Sequence, residues 1–212
     1  METQSEQVRP RKGARSRATI LHAAAELATI AGLNGLSLAA LASHIGMSKS
    51  GLFAHFESKE ALQLATVDTA KEIFDSDVIE PISEIENPLE QLRALSDAFL
   101  SHVERRVFPG GCFFISASAE FDTHPGPVKD KLLAFQAEWS ERMEQLIADA
   151  QKRDLLRADD SPSQLSFELT SYLLMANTAF VMHDDPTYLE QARNAVRRRL
   201  ESLQGKASTT RF

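Results

Sequence analysis

The sequence has one cysteine, Cys112, so no disulfide can form within the chain. The ordinary reading of such a residue is a small buried hydrophobe, and a redox role needs a lowered thiol pKa that sequence alone does not display. Glycine and proline number only nine and eight in 212 residues, and no stretch is of low complexity or repeated. No apolar run approaches the roughly 20 residues that span a bilayer. The first residues lack the apolar core of a signal peptide, and the expected location is therefore cytoplasmic. No segment reads as a strand. Enzyme signatures are missing too: there is no Ser-His-Asp order, phosphate-binding loop or metal-ligand spacing, so no catalytic residue, metal or cofactor is nominated. His183-Asp184-Asp185 comes nearest to a metal cluster, but Asp185 reads better as a helix cap.

Positive charge is in short supply overall, with a formal net charge of −7, but its distribution is uneven. Residues 1–60 hold seven Lys and Arg against five Asp and Glu, whereas the remainder hold 16 against 25. A neutral-to-basic head on an acidic body is compatible with a polyanionic partner, because charge is screened within about 8 Å at physiological salt. Arg9, Arg11, Lys12, Arg15 and Arg17 follow one another without an acid. They suggest a basic arm over 1–16, which is either a solvated tail or a segment laid against phosphates or a minor groove.

What is present is helical periodicity. Ile20, Ala24, Leu27 and Ala31 recur at three- and four-residue steps and predict a helix over about 17–33, closed by Gly32 and the Asn34-Gly35 turn. Ser37 is placed to cap a second helix with the apolar stripe Leu38, Leu41, Ala42 and Ile45. Gly46 stops it. Ser48 caps a short third helix to about Phe56, and Ser58 caps a fourth over about 59–74. Longer helices are expected over about 88–107, 112–121, 128–153 and 162–182, with a last one from Asp185-Pro186 to about Gln204. The chain therefore reads as all-α. A helix-turn-helix domain occupies 17–60, a larger helical domain 61–205, and a disordered tail 206–212.

The stretch 37–56, SLAALASHIGMSKSGLFAHF, carries the chemistry. A helix-turn-helix needs a small residue where its helices touch, and Ala42 fits; its turn needs a residue free to take positive φ, and Gly46 fits. Leu52 and Phe56 are one turn apart and anchor the third helix. Lys49, Ser50, Gly51 and His55 are then left outward, where a major groove would meet them.

Residues 17–65 resemble the DNA-binding domain of the TetR/AcrR family of transcriptional regulators. The likeness is carried by the alanine-rich first helix ending in a glycine turn, the Ser-capped second helix, Phe53-Ala54-His55-Phe56, and Ser58-Lys59-Glu60-Ala61-Leu62. It implies a homodimeric regulator, usually a repressor, that binds a palindromic operator in double-stranded DNA and is released by a small, largely apolar ligand. It places Arg15, Arg17, Ser37, Ser48, Lys49, Ser50, Gly51, Phe53, His55 and Lys59 at the DNA. Ser37 and Lys59 would touch phosphates, and Ser48, Lys49, Ser50 and Gly51 would read bases. Phe53 stands where the family usually has a tyrosine, so one phosphate hydrogen bond is expected to be lost at about 1 kcal/mol.

For the body, the resemblance implies a ligand cavity, with Phe99, His102, Phe113, Phe114, Phe121, Trp139, Met143, Phe167, Met175 and Asn177 as candidate lining. It also implies a four-helix interface between two copies built from the last two helices. The near-heptad residues Leu165, Leu169, Tyr172 and Ala176, with Leu189, Ala192, Val196 and Leu203, are expected there. The plainer alternative is that these stripes complete a monomer core. Two other functions remain open: a DNA-binding regulator answering to a protein partner or to no ligand, and a helical carrier or enzyme with an unused DNA-binding head.

Overall fold

Serine and asparagine set the helix starts. In the computed structural model, which describes residues 12–204, the Ser37, Ser48, Ser58 and Ser161 hydroxyls accept the backbone N–H of Ala40, Gly51, Ala61 and Gln164 at 3.0–3.2 Å. Asn87 Oδ1 accepts from Leu89 and Glu90. Each such cap contributes about 1 kcal/mol and fixes where the following helix begins. The α-helices among the described residues are α1 (Lys12–Ala31), α2 (Leu38–His44), α3 (Lys49–Phe53), α4 (Lys59–Phe74), α5 (Pro88–Glu104), α6 (Phe113–Phe121), α7 (Pro127–Lys152), α8 (Pro162–His183) and α9 (Thr187–Leu203). Prolines occupy the first turns of α5, α7 and α8, where a missing N–H costs nothing. None of these helices is long and apolar enough to cross a membrane.

Three boundaries differ from the sequence expectation. First, α1 begins at Lys12, so the basic residues from 12 onward belong to a helix rather than to an arm; residues 1–11 and the expected tail lie outside the described residues. Second, α3 ends at Phe53, because Ser58 must be extended (φ −150°, ψ 167°) to cap α4 and the chain has only four residues in which to turn. Third, the chain after α4 does not leave the helical path. It widens into a π-helical turn over Asp75–Ile79 and tightens into a 3₁₀ turn over Glu80–Ile82.

The head consists of α1–α3 and the start of α4, around Ile20, Ala24, Leu33, Leu41, Leu52 and Leu62, all nearly inaccessible. In the body, α5 packs on α7, α8 and α9, and α7 also packs on α4 and α6. Phe74 at the end of α4 is the hub. Its ring stands edge-on to Phe99, Phe114, Phe135, Trp139 and His102.

The expected interface stripe is corrected here. Leu165, Leu169, Ala176, Leu189, Ala192, Val196 and Leu203 are all buried inside the chain's own core, and Tyr172 is half-buried. α9 has one apolar stripe and spends it inward, on α5 and α8. Two arginines on its flanks tie it down: Arg193 to Asp97 and Glu104 of α5, and Arg199 to Glu168 of α8 and Asp160. Of the large apolar side chains left outside, most belong to the other face of α8, with Phe167 71%, Met175 63% and Met182 74% exposed; Ile30 of α1 and Leu133 of α7 are the others among the described residues.

The π turn is held to α5 by a charged cluster. Asp77 Oδ2 lies 2.7 Å from His102 Nδ1 and from Arg105 Nη2. Burial pushes the Asp77 carboxyl up, but the bonds from Arg105 and His102 outweigh it and hold it below its ordinary value. Burial pushes the His102 pKa down, against the pull of Asp77. The neutral ring suits its surroundings: Nε2 is buried without a hydrogen-bond partner among the described residues, and the Phe74 and Phe108 rings lie at 5.6 Å. Both folded-state pKa values are depressed, so both groups contribute stability above their unfolded values (about 6.5 and 3.9) that is lost as pH falls. Urea unfolding should show stability level near pH 7–8 and declining below about pH 6.5. His102→Gln should remove the upper part of that decline; an unchanged profile would contradict this account.

Candidate functional site

The α2–α3 unit is built as its residues require. Ala42 is buried at the helix contact, and Met47 N–H donates to its carbonyl across the turn at 2.9 Å. Gly46 takes φ +68°, a conformation an L side chain resists, although its missing Cβ would meet nothing within 4 Å. Leu52 and Phe56 are buried, whereas Ser37, Ser48, Ser50 and Lys59 are exposed and Gly51 and His55 are half-buried. The Ser48 and Ser50 hydroxyls lie 3.3 Å apart on the outward face of α3. The side chains of Arg15, Lys49 and Phe53 lie outside the described residues.

Two of the cations expected at DNA also hold the head together. Arg17 donates from Nη1 to the His55 carbonyl at 2.8 Å, and its guanidinium carbon sits 4.5 Å over the Phe56 ring. It therefore fixes the segment that follows α3 against α1. Lys59 donates from Nζ to the Asn34 carbonyl, bracing the α1–α2 turn from the first residue of α4. Buried Gln63 does the same for the Leu33 carbonyl at 2.8 Å.

The body holds a half-open cavity of about 480 Å³ between α4, α5, α6, α7 and α8. Phe99, Phe114 and Trp139 line it, as expected from sequence. The other candidates stand elsewhere, and each for a physical reason. Phe113 and Met143 are buried packing residues outside the lining, and His102 is separated by its contact with Phe74 and its bond to Asp77. Asn177 is committed: its Oδ1 accepts the Cys112 N–H at 2.8 Å. Phe121 borders a smaller surface crevice with Leu132 and Leu133. Phe167 and Met175 point away from the core and are exposed. Sequence reasoning passed over Phe74, Phe135, Gln136 and Ser140 of the lining; Phe135 and Trp139, four apart on α7, were the available signal.

Cys112 also lines the cavity, and burial pushes its thiol up to about 11, so it stays protonated at neutral pH. The three residues of the suspected metal cluster are otherwise engaged. His183 stacks on Tyr188, Asp184 pairs with Arg106, and Asp185 accepts the Thr187 N–H at 2.9 Å.

The cavity is tied to the head through α6. Ser118 and Ala119 line the cavity, and the next residue, Glu120, grips the turn after α1: Oε1 accepts the Leu33 N–H at 3.1 Å and Oε2 the Asn34 N–H at 2.7 Å. Just before α6, Gly110 lies flat on α1. Its N–H donates to Thr29 Oγ1 at 3.0 Å, and a Cβ there would fall 2.0 Å from the Thr29 carbonyl oxygen.

Comparison with known proteins agrees with both halves. Residues 20–66 match the family profile described as bacterial regulatory proteins, tetR family, and residues 88–196 match the one described as tetracyclin repressor-like, C-terminal domain. No curated protein matches the chain. Among solved structures, a TetR transcriptional regulator from Chloroflexus aurantiacus is 25% identical with a TM-score of 0.84, covering 92% of this chain and 98% of its own. A TetR-family regulator from Cytophaga hutchinsonii is 19% identical with a TM-score of 0.80, covering 93% and 99%. AibR, solved in complex with isovaleryl coenzyme A and operator DNA, is 24% identical with a TM-score of 0.70, covering 89% and 98%.

Proposed function

Since the chain belongs to the tetR family of bacterial regulatory proteins, DNA-binding transcriptional regulators, we propose that it is a homodimeric repressor released from a palindromic operator by a small molecule bound in the body. The observation that carries the reading is the double duty of α6, which walls the cavity at Ser118 and Ala119 and holds the head at Glu120. A ligand shifts a two-state equilibrium only by its difference in affinity for the two states. Here the difference arises if the head position that fits DNA and the α6 position that fits the ligand are not the same. The AibR complex offers a precedent in the same fold for a protein that meets both a small molecule and operator DNA.

At the DNA, Ser48, Lys49, Ser50 and Gly51 read base edges from α3, with small residues allowing its backbone close to the groove. Ser37, Phe53, His55 and Lys59 lie toward the backbone, with Arg15 and Arg17 at the start of the head. Operators selected from a random duplex pool should be palindromic. Lys49→Ala should change affinity unevenly across operator variants. Lys59→Ala should weaken all of them alike and lower the salt slope. Equal effects of both substitutions on every sequence would refute this division of roles.

The two copies meet through the outward face of α8. Phe167, Ser171, Leu174, Met175, Thr178 and Met182 are exposed and uncharged along four turns, and large exposed apolar side chains in a row mark an interaction surface. Reading two half-sites about 34–36 Å apart needs two heads. Met175→Glu places a charge on this face without disturbing the core, and sedimentation should show dissociation with loss of operator binding. An intact dimer would move the interface elsewhere.

Glu120→Gln keeps one acceptor oxygen but no charge, so one of the two bonds to the head is lost and the other becomes an ordinary neutral one. Operator affinity without ligand should change little, while the drop on adding an inducer should shrink severalfold, read by operator titration with and without it. A full ligand-induced drop in this variant would rule out the α6 route.

A further inference from the structure

The lining of the 480 Å³ cavity is specific enough to name a chemical class. Five aromatic side chains wall it: Phe74, Phe99, Phe114, Phe135 and Trp139. They are held in place rather than free to adapt. Phe114 and Phe135 stack face to face, their planes 5° from parallel. Phe74 meets both of these, and Trp139, edge-on. The indole of Trp139 is fixed by its Nε1–H, which donates to Thr170 Oγ1 at 3.1 Å, so its plane is a set wall and its donor is already used.

Polar groups are few: the Thr170 hydroxyl on α8 is engaged by the Trp139 indole, and the rest belong to α6, its N-cap Cys112 and α7. Gln136 donates from Nε2 to Ser118 Oγ at 3.0 Å, bridging α7 and α6 at the exposed rim. That leaves Gln136 Oε1 free to accept, and the Ser140 hydroxyl stands one turn further along α7 at the same rim. Charge is lacking: among the described residues no Asp, Glu, Lys, Arg or His lines the cavity, and the Cys112 thiol is protonated. Ionisable side chains stand outside the lining: Asp122, Lys129, Glu141 and Glu144 border surface crevices that share Ser118, Gln136 and Ser140 with its rim, and others lie behind the aromatic wall. His102 is beyond Phe74, and Asp75, Glu138 and Arg142 border a separate crevice on the outer side of Phe135 and Trp139.

We propose that the cavity takes a neutral, flat aromatic ligand whose hydrogen-bonding group sits at the α6–α7 rim, against Gln136 and Ser140. The inference rests on the reading of this cavity as the regulatory ligand site. An ion of either sign seated among the aromatic walls would leave water for surroundings with no counter-charge, and burying an unpaired charge is strongly unfavourable. A planar ring instead exchanges water for aromatic faces and edges at suitable distances. The volume lies within the roughly 300–1,000 Å³ usual for small-molecule sites.

Trp139 is the only tryptophan in the chain, so its emission reports from inside the cavity. Three non-fluorescent probes of matched shape separate the classes: 4-nitrobenzyl alcohol, 4-nitrobenzoate and 4-nitrobenzylammonium, titrated at pH 7 against the full chain. The alcohol should quench Trp139 saturably and bind at least tenfold tighter than either ion. Ser140→Arg, at the exposed rim where the fold tolerates it, should swing the preference toward 4-nitrobenzoate. Equal or tighter binding of either ion to the unaltered protein, or no saturable quenching by the alcohol, overturns the assignment. Binding to a selected operator is measured alongside. Cavity binding by the alcohol without operator release would sink the release reading and leave the ligand class standing, whereas release by an ion would do the reverse.

Discussion

Glu120 accepts two backbone N–H groups from the turn after α1, and the relation of head to body depends on that carboxylate. Leu33 and Asn34 lie past the last residue of α1, where the chain has turned off the helical path, so their N–H groups have no helix carbonyl to bond and need an acceptor from elsewhere. A charged acceptor meets that need more strongly than a neutral one. Because the acceptor comes from a nine-residue helix whose other residues wall a cavity, the head's position and the cavity's shape are parts of one arrangement. α4 makes the second connection, running from the Ser58 cap in the head to the Phe74 hub in the body without a break. The head is thus joined to the body by a continuous helix and by a hydrogen-bonded turn.

The sequence made the local features of this fold readable and left the long-range ones hidden. Serine caps at 37, 48 and 58 were visible because a cap is decided within four residues. The helix-turn-helix was legible for the same reason: Ala42, Gly46, Leu52 and Phe56 lie within fifteen residues and their spacing alone defines the crossing. The π turn at Asp75–Ile79 was not visible, since it depends on Asp77 meeting His102 and Arg105 more than twenty residues away.

The choice between stripes on α8 shows a different limit. Periodicity identifies that a helix is apolar on two sides, but a core-facing stripe and a partner-facing stripe have the same spacing. Only the packing of α7 and α9 decides that Leu165 and Leu169 point in and Phe167 and Met175 point out. The cavity was partly readable for a similar reason. Aromatic residues announce themselves by type, so Phe99, Phe114 and Trp139 were found, whereas Gln136 and Ser140 look like ordinary surface residues of a long helix. Five helices must converge before those side chains acquire a common purpose.

The seat of Gly110 on Thr29 bears on how such a protein diversifies. Its amide is bonded to the threonine hydroxyl, and no room exists between the two backbones for even a methyl group. Heads and bodies are often pictured as interchangeable modules, each free to acquire a new operator or a new ligand on its own. In this chain the seam is a fitted joint. A head transplanted from a relative must bring a first helix whose backbone passes at the same height above that glycine and a turn whose N–H groups meet the same carboxylate. Substitution of the outward residues of α3 leaves the joint untouched, whereas a grafted head has to reproduce it.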